Sequence, residues 1–113
     1  MHEYSVASSL LELVEKQARE HAAERVVAVH VRIGALSGVE PDLLRTAWEL
    51  VRERSLAAGA ALRLEAVPAR WACSRCAAPV APGLVLRCAD CGEPGRLAAG
   101  DELLLARIEM EVA

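Results

Sequence analysis

At 113 residues the chain has room for one compact domain, or a domain plus a small module, and not for a large enzyme cleft. Hydrophobic residues make up 54% and charged ones 26%, a globular rather than disordered balance; the only aromatics are Tyr4, Trp48 and Trp71, so aliphatic and alanine packing must form the core. A net charge of −3 argues against nonspecific nucleic-acid binding, which draws on a surplus of Lys and Arg.

No apolar run approaches the roughly 20 residues needed to span a bilayer, because Leu103, Leu104 and Leu105 are flanked by Asp101, Glu102 and Arg107. His2, Glu3 and Glu12 stand where a secretory signal would carry a basic and then an apolar segment, so the chain is expected in the cytoplasm and away from membranes.

Residues 4–22 read as a helix with Val6, Leu10, Leu13, Val14 and Ala18 on one stripe. Residues 25–33 alternate as a strand, with Val27, Val29, Val31 and Ile33 on one face and Val26, Ala28, His30 and Arg32 on the other. Gly34, Ser37 and Gly38 interrupt it, and Glu40-Pro41-Asp42 opens a second helix, since proline and acids suit a first turn. Its stripe is Leu44, Ala47, Trp48 and Val51, and its expected end is Gly59. A short strand follows, with Leu62, Leu64 and Ala66 on one face.

Composition changes at Pro68, where prolines, glycines and all four cysteines begin to cluster. Past Gly100 alternation returns, with Leu104, Ala106, Ile108, Met110 and Val112 facing one way and Arg107, Glu109 and Glu111 the other. The expected fold is therefore α+β, two helices on a small, mostly antiparallel sheet. Residues 1–67 and the closing strand 100–113 form one domain, and a module at 68–99 is inserted before that strand.

Cys73-Ser-Arg-Cys76 and Cys88-Ala-Asp-Cys91 are two Cys-x-x-Cys knuckles with the spacing of a zinc ribbon, and a reducing cytoplasm favours metal over disulfides. Four sulfurs leave no position for water, so Zn(II) bound there is structural and not catalytic. It staples a module whose sizeable apolar residues are only Trp71, Val80, Leu84, Val85, Leu86 and Leu97. Arg70, Arg75, Arg87 and Arg96 invite a nucleic-acid reading, but zinc with four thiolates carries about −2 and cancels that surplus. Histidines 21 and 30 read as surface residues, and Trp48 and Trp71 as packing residues. No nucleophile triad, phosphate loop or carboxylate pair is evident, so the chain reads as a binding protein and not an enzyme.

Met1-His2-Glu3 offers an α-amine, backbone amide nitrogens and an imidazole Nδ1 joined by small chelate rings, a donor set that suits square-planar Ni(II) or Cu(II). Met-His-Glu leading into an amphipathic helix, the stretch from Ile33 to Glu49, the paired Cys-x-x-Cys, and Gly100-Asp-Glu-Leu-Leu-Leu105 followed by Ile108-Glu109 together resemble the HypA/HybF family of hydrogenase-maturation nickel metallochaperones. The resemblance runs from end to end. It implies transient Ni(II) at His2 with backbone nitrogens of Met1 and Glu3, and zinc on Cys73, Cys76, Cys88 and Cys91. It also implies two partners, the GTPase of the maturation pathway and the large subunit of a [NiFe]-hydrogenase, with urease a further recipient in some organisms. Some relatives carry histidines beside their cysteine pairs, where this chain has Ala77 and Gly92, which argues against acid-driven ligand exchange at zinc. Monomer and homodimer are both open. A competing reading is a zinc-ribbon adaptor for nucleic acid or a transcription complex, for which the cysteine module alone would suffice.

Overall fold

The computed structural model describes residues 2–83 and 85–113. Its elements are α1 (His2–Glu20), β1 (Ala23–Gly34), α2 (Pro41–Val51), β2 (Ala61–Val67), β3 (Arg70–Cys73), β4 (Pro79–Val80), β5 (Gly95–Ala99) and β6 (Leu103–Val112). They form two three-stranded sheets, β2-β1-β6 and β4-β3-β5. In the first, β1 pairs in parallel with β2 and antiparallel with β6, while all pairings in the second are antiparallel. The architecture is the expected α+β, with the cysteine-bearing segment building its own small sheet.

Both helices cover one face of the first sheet. Leu10, Val14 and Ala18 of α1 meet Val26, Val29 and Val31 of β1 and Trp48 of α2, with Leu62, Leu64, Leu105 and Ile108 packed around them. A second cluster joins Ala7 to Ile33, Val39, Leu44 and Ala47. Each fully buried Val or Leu contributes about 1.5–3 kcal/mol. Trp48 is 1% exposed, and its indole N–H donates to the Ala60 carbonyl at 3.2 Å.

Four local expectations need correction. Helix α1 begins at His2 and ends at Glu20, two residues ahead of the expected span at each end. Helix α2 stops at Val51 rather than Gly59. The Ser55 hydroxyl bonds the Arg52 carbonyl, and Ala57 and Ala60 turn into the core, so the segment after Arg52 coils along the sheet edge. In β1 the expected alternation breaks at Val27, which is exposed while Val26 is buried, because a bulge against β6 lies between Val26 and Ala28. An extra residue on one strand reverses the facing of the residues beyond it. The same happens in β6, where register shifts opposite His30 and Val31, so Leu105 shares the core with Ile108 and Leu104 is exposed.

The chain crosses between the sheets at a tight junction. Gly34 N–H donates to Glu102 O at 2.7 Å, Ala35 N–H to Val67 O at 2.9 Å, and Leu36 N–H to Gly100 O at 2.6 Å. A Cβ on Gly34 would collide with the Gly100 carbonyl. Gly100 itself sits at φ +110, where a Cβ would lie 2.6 Å from Ala69 Cα.

Candidate metal centres

The four cysteine sulfurs lie within 4.8 Å of one another. Cys73 and Cys76 flank the turn after β3, and Cys88 and Cys91 flank the turn before β5. Both turns use the same backbone pattern. The N–H groups of Arg75 and Cys76 donate to Cys73 Sγ at 3.3 and 3.4 Å, and that of Cys91 to Cys88 Sγ at 3.4 Å. Ala77 N–H closes the first turn on Cys73 O and Gly92 N–H the second on Cys88 O. Both closing residues are left-handed, Gly92 at φ +70 and Ala77 at φ +63. Glycine adopts this freely; alanine is strained there by about 1–2 kcal/mol.

The donor set fits zinc. Tetrahedral Zn–S bonds of about 2.3 Å place sulfurs about 3.8 Å apart, and Cys76 Sγ lies 3.8 Å from Cys88 Sγ. All four thiols are free of disulfides. The Cys73 thiol is drawn down to about 7, chiefly by the Cys76 N–H and then by that of Arg75. Its neighbours, Cys76 foremost, push Cys91 up to about 12. The Cys91 proton is held chiefly by its hydrogen bond to the Cys76 sulfur, with burial adding to it, and a divalent cation bound by all four sulfurs would take that proton's place. Packing here is thin: Cys73, Val80 and Cys88 are buried, with Trp71, Ala78 and Leu86 partly so. Val85 is exposed, and Leu84 lies outside the described residues.

At the other candidate site, His2 opens α1 with its ring exposed, and its Nδ1 lies 3.9 Å from Glu3 Oε2. The Met1 amine lies outside the described residues. The Glu3 carboxylate accepts the Glu40 N–H at 3.1 Å, while the Glu40 carboxylate accepts the Leu43 N–H at 2.9 Å and caps α2. The two helix starts are thus tied together. This contact across 37 positions has no local sequence signal, and the sequence alone marks Glu40 only as part of a helix start.

The Glu40 N–H holds the Glu3 carboxyl below its usual range, helped by its own backbone N–H and by His2. Because the folded-state value is depressed, the associated stability is present above the unfolded value of about 4.3 and is lost as pH falls through the folded one. Acid titration should therefore show a loss of stability below about pH 4.3 that is smaller in Glu3→Gln, measured by chemical denaturation. Equal pH slopes in the two proteins would disprove it. Neither remaining histidine joins a metal cluster among the described residues: His30 pairs with Glu109, and His21 bonds the Gln17 carbonyl.

The sequence profile described as "Hydrogenase/urease nickel incorporation, metallochaperone, hypA" matches residues 1–110. Among relatives, the hydrogenase maturation factor HypA of Dechloromonas aromatica is 41% identical over 113 residues, covering 98% of this chain and 100% of that protein. The HypA of Synechococcus elongatus is 37% identical, covering 97% and 99%. Among structures, the solution structure of the Ni metallochaperone HypA from Helicobacter pylori superposes with a TM-score of 0.73 at 30% identity, covering 98% of each chain. A second HypA solution structure gives 0.82 at 31% identity, covering 100% of this chain and 98% of the other.

Proposed function

Since the chain belongs to the HypA family of hydrogenase and urease nickel-incorporation metallochaperones, we propose that it holds Ni(II) at its first three residues and staples its second sheet with zinc on Cys73, Cys76, Cys88 and Cys91. The protein is a nickel metallochaperone of hydrogenase maturation with a four-cysteine zinc site, and is not an enzyme. The adaptor reading lapses, because the ribbon is part of a chain that the family matches along residues 1–110.

The observation that carries the nickel reading is the placement of His2 at the start of α1 with an exposed ring. The first N–H groups of a helix have no acceptor within it. Amide nitrogens of the first turn could therefore give up their protons to solvent and bind a metal without breaking the helix ladder, and two such anions would neutralise the charge of Ni(II) at the positive end of the helix. Together with the Met1 amine and His2 Nδ1 they make the nitrogen set that square-planar Ni(II) takes. The Glu3 carboxylate is engaged with Glu40, so Glu3 offers its backbone nitrogen and steadies the terminus through its side chain.

Nickel is cargo and must leave. An exposed terminal chelate can be taken apart ligand by ligand, whereas four enclosing thiolates release slowly. The zinc, when bound, supplies folding energy rather than reactivity. The recipients are the GTPase of the same pathway and then a hydrogenase large subunit, with urease a second client, and the setting is the cytoplasm. No described helix is long and apolar enough to cross a membrane.

Native mass spectrometry of untagged protein tests this reading. One zinc that resists mild chelation and one exchangeable Ni(II) per chain are expected. Failure to bind nickel in stoichiometric amount would refute the terminal site.

A further inference from the structure

The two helices lie side by side with their starts together. Glu3 of α1 accepts the N–H of Glu40 just ahead of α2, Ala7 packs with Leu44 and Ala47, and Leu10 and Val14 pack with Trp48 further along, so the helices run parallel. The flank that each turns to the other follows from what its opposite flank meets. On α1, Ser5, Ser9 and Leu13 line a groove against Leu103 and Leu105 of β6, which leaves Tyr4, Ser8 and Leu11 on the side toward α2. On α2 and at its cap, the guanidinium groups of Arg45 and Arg52 donate to the Leu62 and Ala60 carbonyls, which leaves Leu43 and Leu50 on the side toward α1.

An apolar seam therefore opens outward between the helices. Tyr4 is 44% exposed, Leu43 56% and Leu50 60%. The two leucines stand two helical turns apart on one face, about 10 Å along the axis. Single exposed leucines need no explanation, but leucines aligned in this way beside an aromatic ring form a stripe on which an amphipathic helix can lay its apolar face.

The charges around the seam select that helix. Glu12 on α1, Asp42 and Glu49 on α2 and Glu53 just past its end are exposed, and among the described residues none of the four has an ion pair, whereas Glu65, Glu109 and Glu111 on the first sheet are each held by an arginine. The cations of these helices lie elsewhere: Arg45 and Arg52 on the β2 flank, Lys16 on the face of Ser9, and Arg19 at the end remote from His2. A second copy of this chain does not fit the seam, because this face against itself sets acid against acid. Nucleic acid and an anionic membrane surface are repelled by the same acids.

We infer that the seam between α1 and α2 docks a basic amphipathic helix of a protein partner, with two apolar side chains about two turns apart seated on Leu43 and Leu50 and Lys or Arg side chains against the acids. The seam begins beside the first turn of α1, so a partner docked there stands next to the exposed His2. The inference rests on exposed leucines and charge, and is independent of metal binding.

Calorimetric titration of the full zinc-loaded chain with a synthetic peptide tests it. The probe is a helical lysine–leucine peptide of about 18 residues with leucines alternately three and four apart. One control carries glutamate in place of lysine, and another has the same composition with the leucine spacing scrambled. The lysine peptide should bind, less tightly as salt rises, and both controls should bind at least about tenfold more weakly. Leu43→Ala with Leu50→Ala removes exposed side chains and keeps good helix formers, and zinc content with circular dichroism verifies folding. That variant should bind the lysine peptide at least about tenfold more weakly. Glu49→Lys with Glu53→Lys should weaken it similarly and flatten its salt dependence. A wild-type chain that does not bind the lysine peptide overturns the proposal. So does a scrambled peptide that binds as tightly, or a leucine variant that binds unchanged.

Discussion

Cys73→Ala is expected to lose zinc and melt the segment from β3 to β5. Cys73 is the best supported of the four sulfurs, accepting two backbone N–H groups and buried to 1% exposure. Apolar burial around it amounts to Val80 with partial contributions from Trp71, Ala78 and Leu86, too little to order some thirty residues whose backbone costs about 1–2 kcal/mol each to fix. Structural zinc supplies roughly 10–16 kcal/mol in small modules, so losing one of four thiolates should cost about 3 kcal/mol or more and weaken zinc binding at least about a hundredfold. Zinc quantitation and limited proteolysis should show an empty, cleavable second sheet beside a protected first one. Full zinc content with native protease resistance would contradict this account. Cys91→Ala should behave similarly, although Cys91 is less buried than Cys73.

His2→Ala, in contrast, should leave zinc content and thermal stability nearly unchanged while removing specific nickel binding. The side chain is 60% exposed, so its removal opens no buried cavity. As the proposed ligand it should matter more than groups that only support a ligand, whose loss typically weakens metal binding 10- to 100-fold. Extensions of the amino terminus probe the amine separately. A ten-residue extension should leave a lone imidazole among ordinary amides and abolish tight binding. One added residue moves His2 to third place and creates an amine, two amides and an imidazole around a square plane. Affinity should then hold or rise while transfer to a recipient slows. Equal affinity and transfer rate in all three proteins would exclude the amine.

The periodic parts of this fold are plain in the sequence. Of the expected α1 stripe, Leu10, Val14 and Ala18 are buried and Val6 is half-buried, while Leu13 is exposed and Ala7, outside the stripe, is buried; Leu44, Ala47 and Trp48 are the buried face of α2. The cysteine spacing places four sulfurs together because a knuckle is a local turn whose geometry depends on few residues. Features set by pairing between distant strands are not legible. Nothing near Val27 or Ala106 announces a bulge, since the extra residue is defined only against the opposite strand. The Glu3–Glu40 contact is hidden for the same reason, as is the crossing of Gly34 with Gly100, where each glycine reads as a simple breaker until both are seen in one place.

Because β6 returns to the first sheet after the cysteine segment, that segment is a loop whose two ends are held by one folded body. When zinc leaves, the first sheet must still keep the ends of stretch 68–102 together, now as slack chain. Closing a loop costs little more as it lengthens, about 0.6 kcal/mol per doubling, and this stretch is about three doublings longer than a usual connection. The burden on the first sheet and its two helices is therefore about 2 kcal/mol, which a core of this kind can bear. Loss of zinc need not unfold the first sheet, and a zinc-starved chain can persist as a half-ordered protein with its terminal helix still in place.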